Sequence, residues 1–161
     1  MKLIFLDIDG VLNCQKSTSR SPQGFIGIDD SRVKLLRQIV DATNAKIVLI
    51  STWQKEWKTE GITDMARYLL RKFKRQRLVV FSRTGKWSYE DRGQGISEWL
   101  EKFSEPVESW IVLDDEIFKD YPRYGVMPHL ILTDFYQNGL TEQHVEQAIE
   151  RLGRINNYGR T

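Results

Sequence analysis

Residues 3–13 read Leu-Ile-Phe-Leu-Asp-Ile-Asp-Gly-Val-Leu-Asn, an apolar run that stops at two carboxylates one residue apart. Such a run reads as a strand of a sheet buried on both faces, and the carboxyl edge of open α/β sheets is where ligands sit. Asp7 and Asp9 leave the strand end together, and Gly10 lets the backbone turn sharply beside them. Carboxylates are hard oxygen ligands, and Mg²⁺ held by one or two of them, with waters and a substrate phosphate, is the usual arrangement at phosphoryl-transfer sites. The pair therefore reads as a cation site, with a plain turn or helix cap as the bland reading.

Outward from this strand, short β-branched runs alternate with segments of helical period, the pattern of βαβ units and a parallel sheet. Five strands are expected, at 2–7 (KLIFLD), 46–51 (KIVLIS), 78–81 (LVVF), 110–114 (WIVLD) and 129–132 (HLIL). Ser31 is placed to cap a helix with Val33, Leu36, Ile39 and Val40 on one face and Asn44 at its end. Thr63 opens a helix carrying Met65, Leu69 and Phe73. Ile96, Trp99, Leu100 and Phe103 follow the i, i+3, i+4, i+7 rule, and Thr141 caps a last helix with Val145, Ala148, Ile149 and Leu152. Segments 13–30 and 82–95 break the rhythm and read as loops beside the site. Residues 1–155 are expected to form one domain, and 156–161 a frayed tail.

The 161 residues suit one well-filled core, and 40% hydrophobic with 29% charged residues is ordinary for a soluble globular protein. Cys14 is the single cysteine, which excludes an internal disulfide framework and an all-cysteine zinc site and points to a reducing, cytoplasmic setting without a disulfide-linked partner. The apolar runs are strand-sized, so neither a signal peptide nor a membrane span is expected. A net charge of +2 is too small to imply nucleic acid by itself.

Asp114 and Asp115 end the fourth expected strand as Asp7 and Asp9 end the first. If those strands are neighbours, four acids meet at one edge, and a divalent ion is what makes such crowding tolerable. Glu116 is expected to cap a short helix. Ser51 and Thr52, at the end of the second strand, offer hydroxyl and N–H groups to phosphate oxygens, or simply make a turn.

With these motifs in place the chain resembles the haloacid dehalogenase (HAD) superfamily of phosphotransferases. The resemblance runs over LIFLDIDGVLN at 3–13, IVLISTW at 47–53, a basic residue before the helix at 95–103, and IVLDDE at 111–116. It implies a Rossmann-like three-layer α/β/α sandwich with strand order 5-4-1-2-3. It also implies Asp7 as the nucleophile that forms an aspartyl-phosphate and Asp9 as general acid and then base. Mg²⁺ would be held by Asp7, the main-chain carbonyl of Asp9 and Asp114, with Asp115 close by. Gly10, Ser51 and Thr52 would lie at the phosphate. Either Lys86 or Arg92 would neutralise the transferred group, and Asp91-Arg92-Gly93-Gln94-Gly95-Ile96 favours Arg92. Within the superfamily, FLDIDGVLN, IVLISTW and Gly139-Leu140-Thr141 resemble the small HAD domains associated with RNA-repair proteins. Those domains usually carry an arginine after the tryptophan; here Gln54 stands there, and Lys55 is the candidate substitute.

Insertions 13–30 and 82–91 are only loop-sized, so no large cap domain is expected. An uncapped site suits a bulky phosphorylated substrate such as an RNA or DNA end. A free nucleotide or small metabolite is the second reading, and a non-catalytic nucleic-acid-binding module the third. Residues 67–77 hold six basic and no acidic residues, which reads as a backbone-tracking surface or as a solvated helix face. Trp53, Trp57 and Trp87 are candidates for stacking on a base or for packing, while Trp99 and Trp110 read as packing. His129 and His144 show no ligand spacing.

Overall fold

The structure is a computed structural model that describes residues 1–155; the expected frayed tail, 156–161, lies outside the described residues. The element order is β1 (Lys2–Leu6), α1 (Asp30–Thr43), β2 (Lys46–Leu49), β3 (Trp57–Lys58), β4 (Gly61–Ile62), α2 (Asp64–Arg75), β5 (Val80–Arg83), α3 (Arg92–Lys102), β6 (Ser109–Asp114), β7 (Leu130–Leu132) and α4 (Glu142–Leu152). Five strands form one sheet in the order β5-β2-β1-β6-β7, all pairs parallel. Among the five principal strands this is the expected order, and the fold is Rossmann-like without a large cap. The hairpin β3–β4 stands apart as a two-stranded antiparallel piece.

Alternation along β1 assigns the two faces. Ile4 and Leu6 pack with Val33, Leu36 and Ile39 of α1, Met65, Leu69 and Phe73 of α2, and Val145, Ala148 and Leu152 of α4. Leu3 and Phe5 pack on the other face with Ile96 of α3 and with Phe118, Tyr121 and Val126 from the segment after β6. Trp99 and Trp110 meet Phe5 edge-on at 5.6 and 5.7 Å, which makes both packing residues. Because β1 pairs with β6 in the register Leu6↔Leu113, their next residues, Asp7 and Asp114, emerge side by side.

Several boundaries differ from expectation for local reasons. Helix α1 starts before Ser31, since Asp29 holds an extended backbone and its carbonyl accepts the amides of Arg32 and Val33. Its end at Asn44, φ 58°, is as expected. The third principal strand begins at Val80 rather than at 78, because Leu78 folds back so that its amide reaches the Phe73 carbonyl and its side chain joins the core. Segment 82–95 is a loop only in its middle; Ser82 and Arg83 belong to β5, and Arg92 to Gly95 open α3. No helix follows Glu116, whose amide instead donates to Asp114 Oδ1 in a side-chain turn. His144 makes the start of α4, its Nδ1 accepting the Thr141 amide at 3.0 Å, and His129 stacks on Trp110 with ring centroids 3.5 Å apart. Both are structural.

Candidate active site

Asp7, Asp114 and Asp115 each bring a carboxylate oxygen within 4.8 Å of the others at the carboxyl edge of β1 and β6. The turn that makes room for them is Gly10, φ +81°; a Cβ there would fall 2.1 Å from Asp115 Oδ2, so backbone angle and space both demand glycine. Thr133 after β7 fixes this turn by donating to the Gly10 carbonyl at 2.6 Å.

Arg92, the first residue of α3, reaches into the cluster. Its Nη1 lies 3.3 Å from Asp7 Oδ1 and 3.0 Å from Asp114 Oδ2, and its Nη2 donates to the Trp87 carbonyl. The guanidinium plane lies 3.8 Å over the Phe118 ring and only 3% of the residue is exposed, while Nε finds no partner among the described residues. Tyr121 donates to Asp114 Oδ2 at 2.5 Å and is fully buried.

This burial shifts the acids strongly. Desolvation foremost, then the Asp114 charge, pushes Asp7 up to about 8 against the pull of Arg92. Asp115 rises to about 7, through burial and then repulsion by Asp7 and Glu116. Asp114 is also raised, burial outweighing Arg92 and Tyr121. Burial works against the Arg92 charge, yet Asp7 and Asp114 hold the guanidinium ionised. Tyr121 is raised by burial and Asp114, and stays a neutral donor.

Asp9 faces elsewhere. Its Oδ1 accepts Asn13 Nδ2 at 2.9 Å and its Oδ2 accepts Trp53 Nε1 at 3.1 Å. Asn13 also takes the Gly10 amide and donates to the Gly27 carbonyl, so it ties the turn to the following loop. Asp9 lines a cavity of about 160 Å³ with Phe25, Ile26, Thr52, Trp53 and Lys55 among its walls.

Residues 3–145 match the family described as the HAD domain in Swiss Army Knife RNA repair proteins. The chain belongs to this family. No curated protein matches it. Membership supports a phosphatase-type hydrolase linked to RNA repair, and HAD domains generally use Mg²⁺, for which the three clustered carboxylates offer hard oxygen ligands. No described helix of this HAD domain is long and apolar enough to cross a membrane, and Cys14 is free and buried.

The other expected site residues of the HAD domain fall into two groups. Thr52 and Lys55 are exposed at the Asp9 cavity. Ser51 is fully buried and its Oγ accepts the Trp53 amide, the position of a turn cap. Lys86 is not brought to the acids; its ammonium lies 2.9 Å from Glu98. Trp53 is buried against Tyr68, so its ring does not lie open for a base, and Trp57 takes the guanidinium of Arg83 on its face. Gln54, where an arginine was anticipated, is buried and tied to the loop after β5, accepting the Gly85 amide at 2.8 Å and donating to Thr84 Oγ1. Both ends of its side-chain amide are thus engaged by that loop. Asn13, Tyr121 and Phe118 were not singled out from sequence. Asn13 closes the motif that was read, whereas Tyr121 and Phe118 come from an irregular segment with no period to expose them.

Proposed function

We propose that this HAD domain is a Mg²⁺-dependent phosphomonoesterase that works through an aspartyl-phosphate on a polynucleotide end. The observation that carries the reading is the division of labour between two neighbouring carboxylates. Asp7 is buried in the acidic cluster against Arg92, while Asp9 is held outside it by Asn13 and Trp53. Asp7, Asp114, Asp115 and the Asp9 carbonyl would hold Mg²⁺, which supplies charge neutralisation for an anionic nucleophile meeting an anionic phosphoryl group.

The chain's own residues then divide the reaction into two displacements. An Asp7 carboxylate oxygen bonds to phosphorus as the bond to the leaving oxygen breaks, and Asp9 gives that oxygen a proton. Asp9 then takes a proton from water, the water oxygen bonds to phosphorus, and the bond to Asp7 breaks with release of inorganic phosphate. Among the described residues each Asp9 oxygen accepts a single side-chain hydrogen bond and so keeps a lone pair for the moving proton. Arg92 orients Asp7 and opposes charge on the transferred group. Gly10 keeps the turn open, Ser51 holds its cap, and Thr52 and Lys55 face the substrate. The absence of a large cap supports a bulky substrate.

The test is phosphate release, with Mg²⁺ or chelator, from an aryl phosphate, 3′- and 5′-mononucleotides and 3′- and 5′-phosphorylated RNA and DNA oligonucleotides. Metal-dependent release from an oligonucleotide end, abolished in Asp7→Asn, is expected. Activity retained in Asp7→Asn would refute the mechanism, and turnover of mononucleotides at least as fast as of oligonucleotides would move the substrate to free nucleotides.

A further inference from the structure

The basic run of α2 does not merely face solvent. Arg71, Lys72 and Arg75 form one wall of a cavity of about 340 Å³, with Tyr68 at its base and Ser19 and Arg20 opposite. Of its four cations, two pair with one carboxylate among the described residues: Asp30 lies 3.1 Å from Lys72 and 3.8 Å from Arg75. Arg71 makes no ion pair among the described residues. The guanidinium of Arg20 is fixed by the carbonyls of Ser17 and Ser19, both at 3.0 Å, and not by an acid. Lys72, with its side chain 12% exposed, lies over the Tyr68 ring inside this wall. A solvated helix face has no reason to hold its cations around a hollow, whereas a ligand with several separated negative charges fits one.

The hollow and the cavity at Asp9 have separate linings that touch each other at two places. Arg20 bridges in antiparallel fashion to Ile26, which lines the Asp9 cavity. Tyr68 stacks on Trp53 with centroids 6.4 Å apart, and Trp53 holds Asp9. Met65, one turn before Tyr68, lines the Asp9 cavity too. Phe25, in the 20–26 turn, lines the Asp9 cavity and is 67% exposed, a ring with no aromatic partner among the described residues. From Met65 to Arg71 and Arg75 the helix axis rises about 9–15 Å at ~1.5 Å per residue. A single strand at ~3.4 Å per stacked step covers that in about three to four nucleotides.

We infer that this hollow seats the sugar–phosphate backbone of a single-stranded RNA whose phosphorylated end lies at Asp7, with Phe25 as a stacking platform for a base near that end. The inference rests on the reading of the site as a polynucleotide end phosphatase and adds the track of the strand. Backbone contacts of this kind are charge-based and independent of sequence.

Two measurements test it, using RNA phosphorylated at whichever end the protein turns over. The first is kcat/KM against length from one to eight nucleotides, for wild type and the double variant Arg71→Gln, Arg75→Gln. Wild type is expected to gain with length up to about four nucleotides and then level off, and the octamer-to-monomer ratio is expected to fall towards one in the variant. The second is binding of a phosphorylated octamer to Asp7→Asn protein across salt concentrations, with and without the two glutamines. Loss of two single-strand phosphate contacts lowers the slope of log Kd against log salt by about 1.4. Length-independent turnover by wild type, or an unchanged salt slope, would overturn the strand track. If wild type hydrolyses nothing, the function proposed above fails, and the salt slope still decides whether the groove binds RNA.

Discussion

In chelator, Asp7→Asn is expected to be more stable than the wild type at alkaline pH, and the advantage is expected to vanish in acid. Asp7 stands at about 8 in the folded protein against 3.8 for an ordinary aspartate, chiefly through burial and then through Asp114. Between those values the folded state binds more protons than the unfolded one, so stability falls as pH rises through the window. Below about pH 4 both states are protonated and the cost is absent; above about pH 8 it is complete. Four units at ~1.4 kcal/mol each put the pH-dependent gap on the order of 5 kcal/mol. Asp115 adds to it in the same direction, since Asp7 is one of the charges that raise it to about 7. The assay is urea unfolding at 25 °C at steps from pH 4 to 9 in chelator, for wild type and variant, with far-UV circular dichroism as the probe. The free-energy difference should grow smoothly from pH 4 to 8 and then flatten. A difference that stays constant with pH, or one that favours wild type increasingly as pH rises, would refute the claim that Asp7 is a buried acid whose charge is held at a cost.

Trp53→Phe keeps the ring against Tyr68 but removes the N–H that holds Asp9 Oδ2; hydrogen bonds to charged groups are worth ~1.5–3 kcal/mol, so kcat should fall roughly tenfold or more while KM and the circular dichroism spectrum change little. Wild-type kcat would show that Asp9 needs no such support. Arg92→Lys preserves charge but loses the planar guanidinium whose Nη1 meets both Asp7 and Asp114 while Nη2 is held by the Trp87 carbonyl, and should lower kcat by about tenfold or more. Lys86→Met should leave kcat near wild type because Glu98 already engages that ammonium; the opposite ranking would make Lys86 the basic residue of the site.

What the sequence disclosed follows from how each residue is carried. Asp7 and Asp114 end continuous apolar runs, so a strand-edge rule puts both at the carboxyl edge, and the pairing of β1 with β6 brings them together. Arg92 is legible as the residue at the mouth of a helix, and its preference over Lys86 leans on resemblance; that it meets two acids is tertiary geometry. Asn13 sat inside the quoted motif, yet its role needs the Gly10 turn to bring it back onto Asp9, a step of tertiary geometry. Trp53 is read from sequence for its ring, whereas its N–H also donates to Asp9 Oδ2. Tyr121 lies seven residues beyond Asp114 in a stretch with neither strand nor helix period, so nothing local announces that it donates to that carboxylate. The late start of β5 has the same origin: Leu78 is apolar enough for a strand, but the end of α2 captures it first.

The charges at the site also explain why its acids are so perturbed without making their shifts a catalytic setting. Three carboxylates against one guanidinium leave two negative charges in a buried space. Arg92 is a permanent member of that balance. Phe118 covers one face, the Trp87 carbonyl holds one nitrogen, and helix α3 is anchored beside it by Asp120, which accepts the Gly93 and Gln94 amides. With all three acids ionised, the residual charge equals in size that of one divalent cation. Protons and such a cation compete for the same oxygens, since a carboxylate ligates in its ionised form. The raised acids thus express the site's demand for positive charge. Asp9, the carboxylate proposed to exchange a proton with substrate, is not one of the three clustered acids, and Asn13 and Trp53 hold it instead.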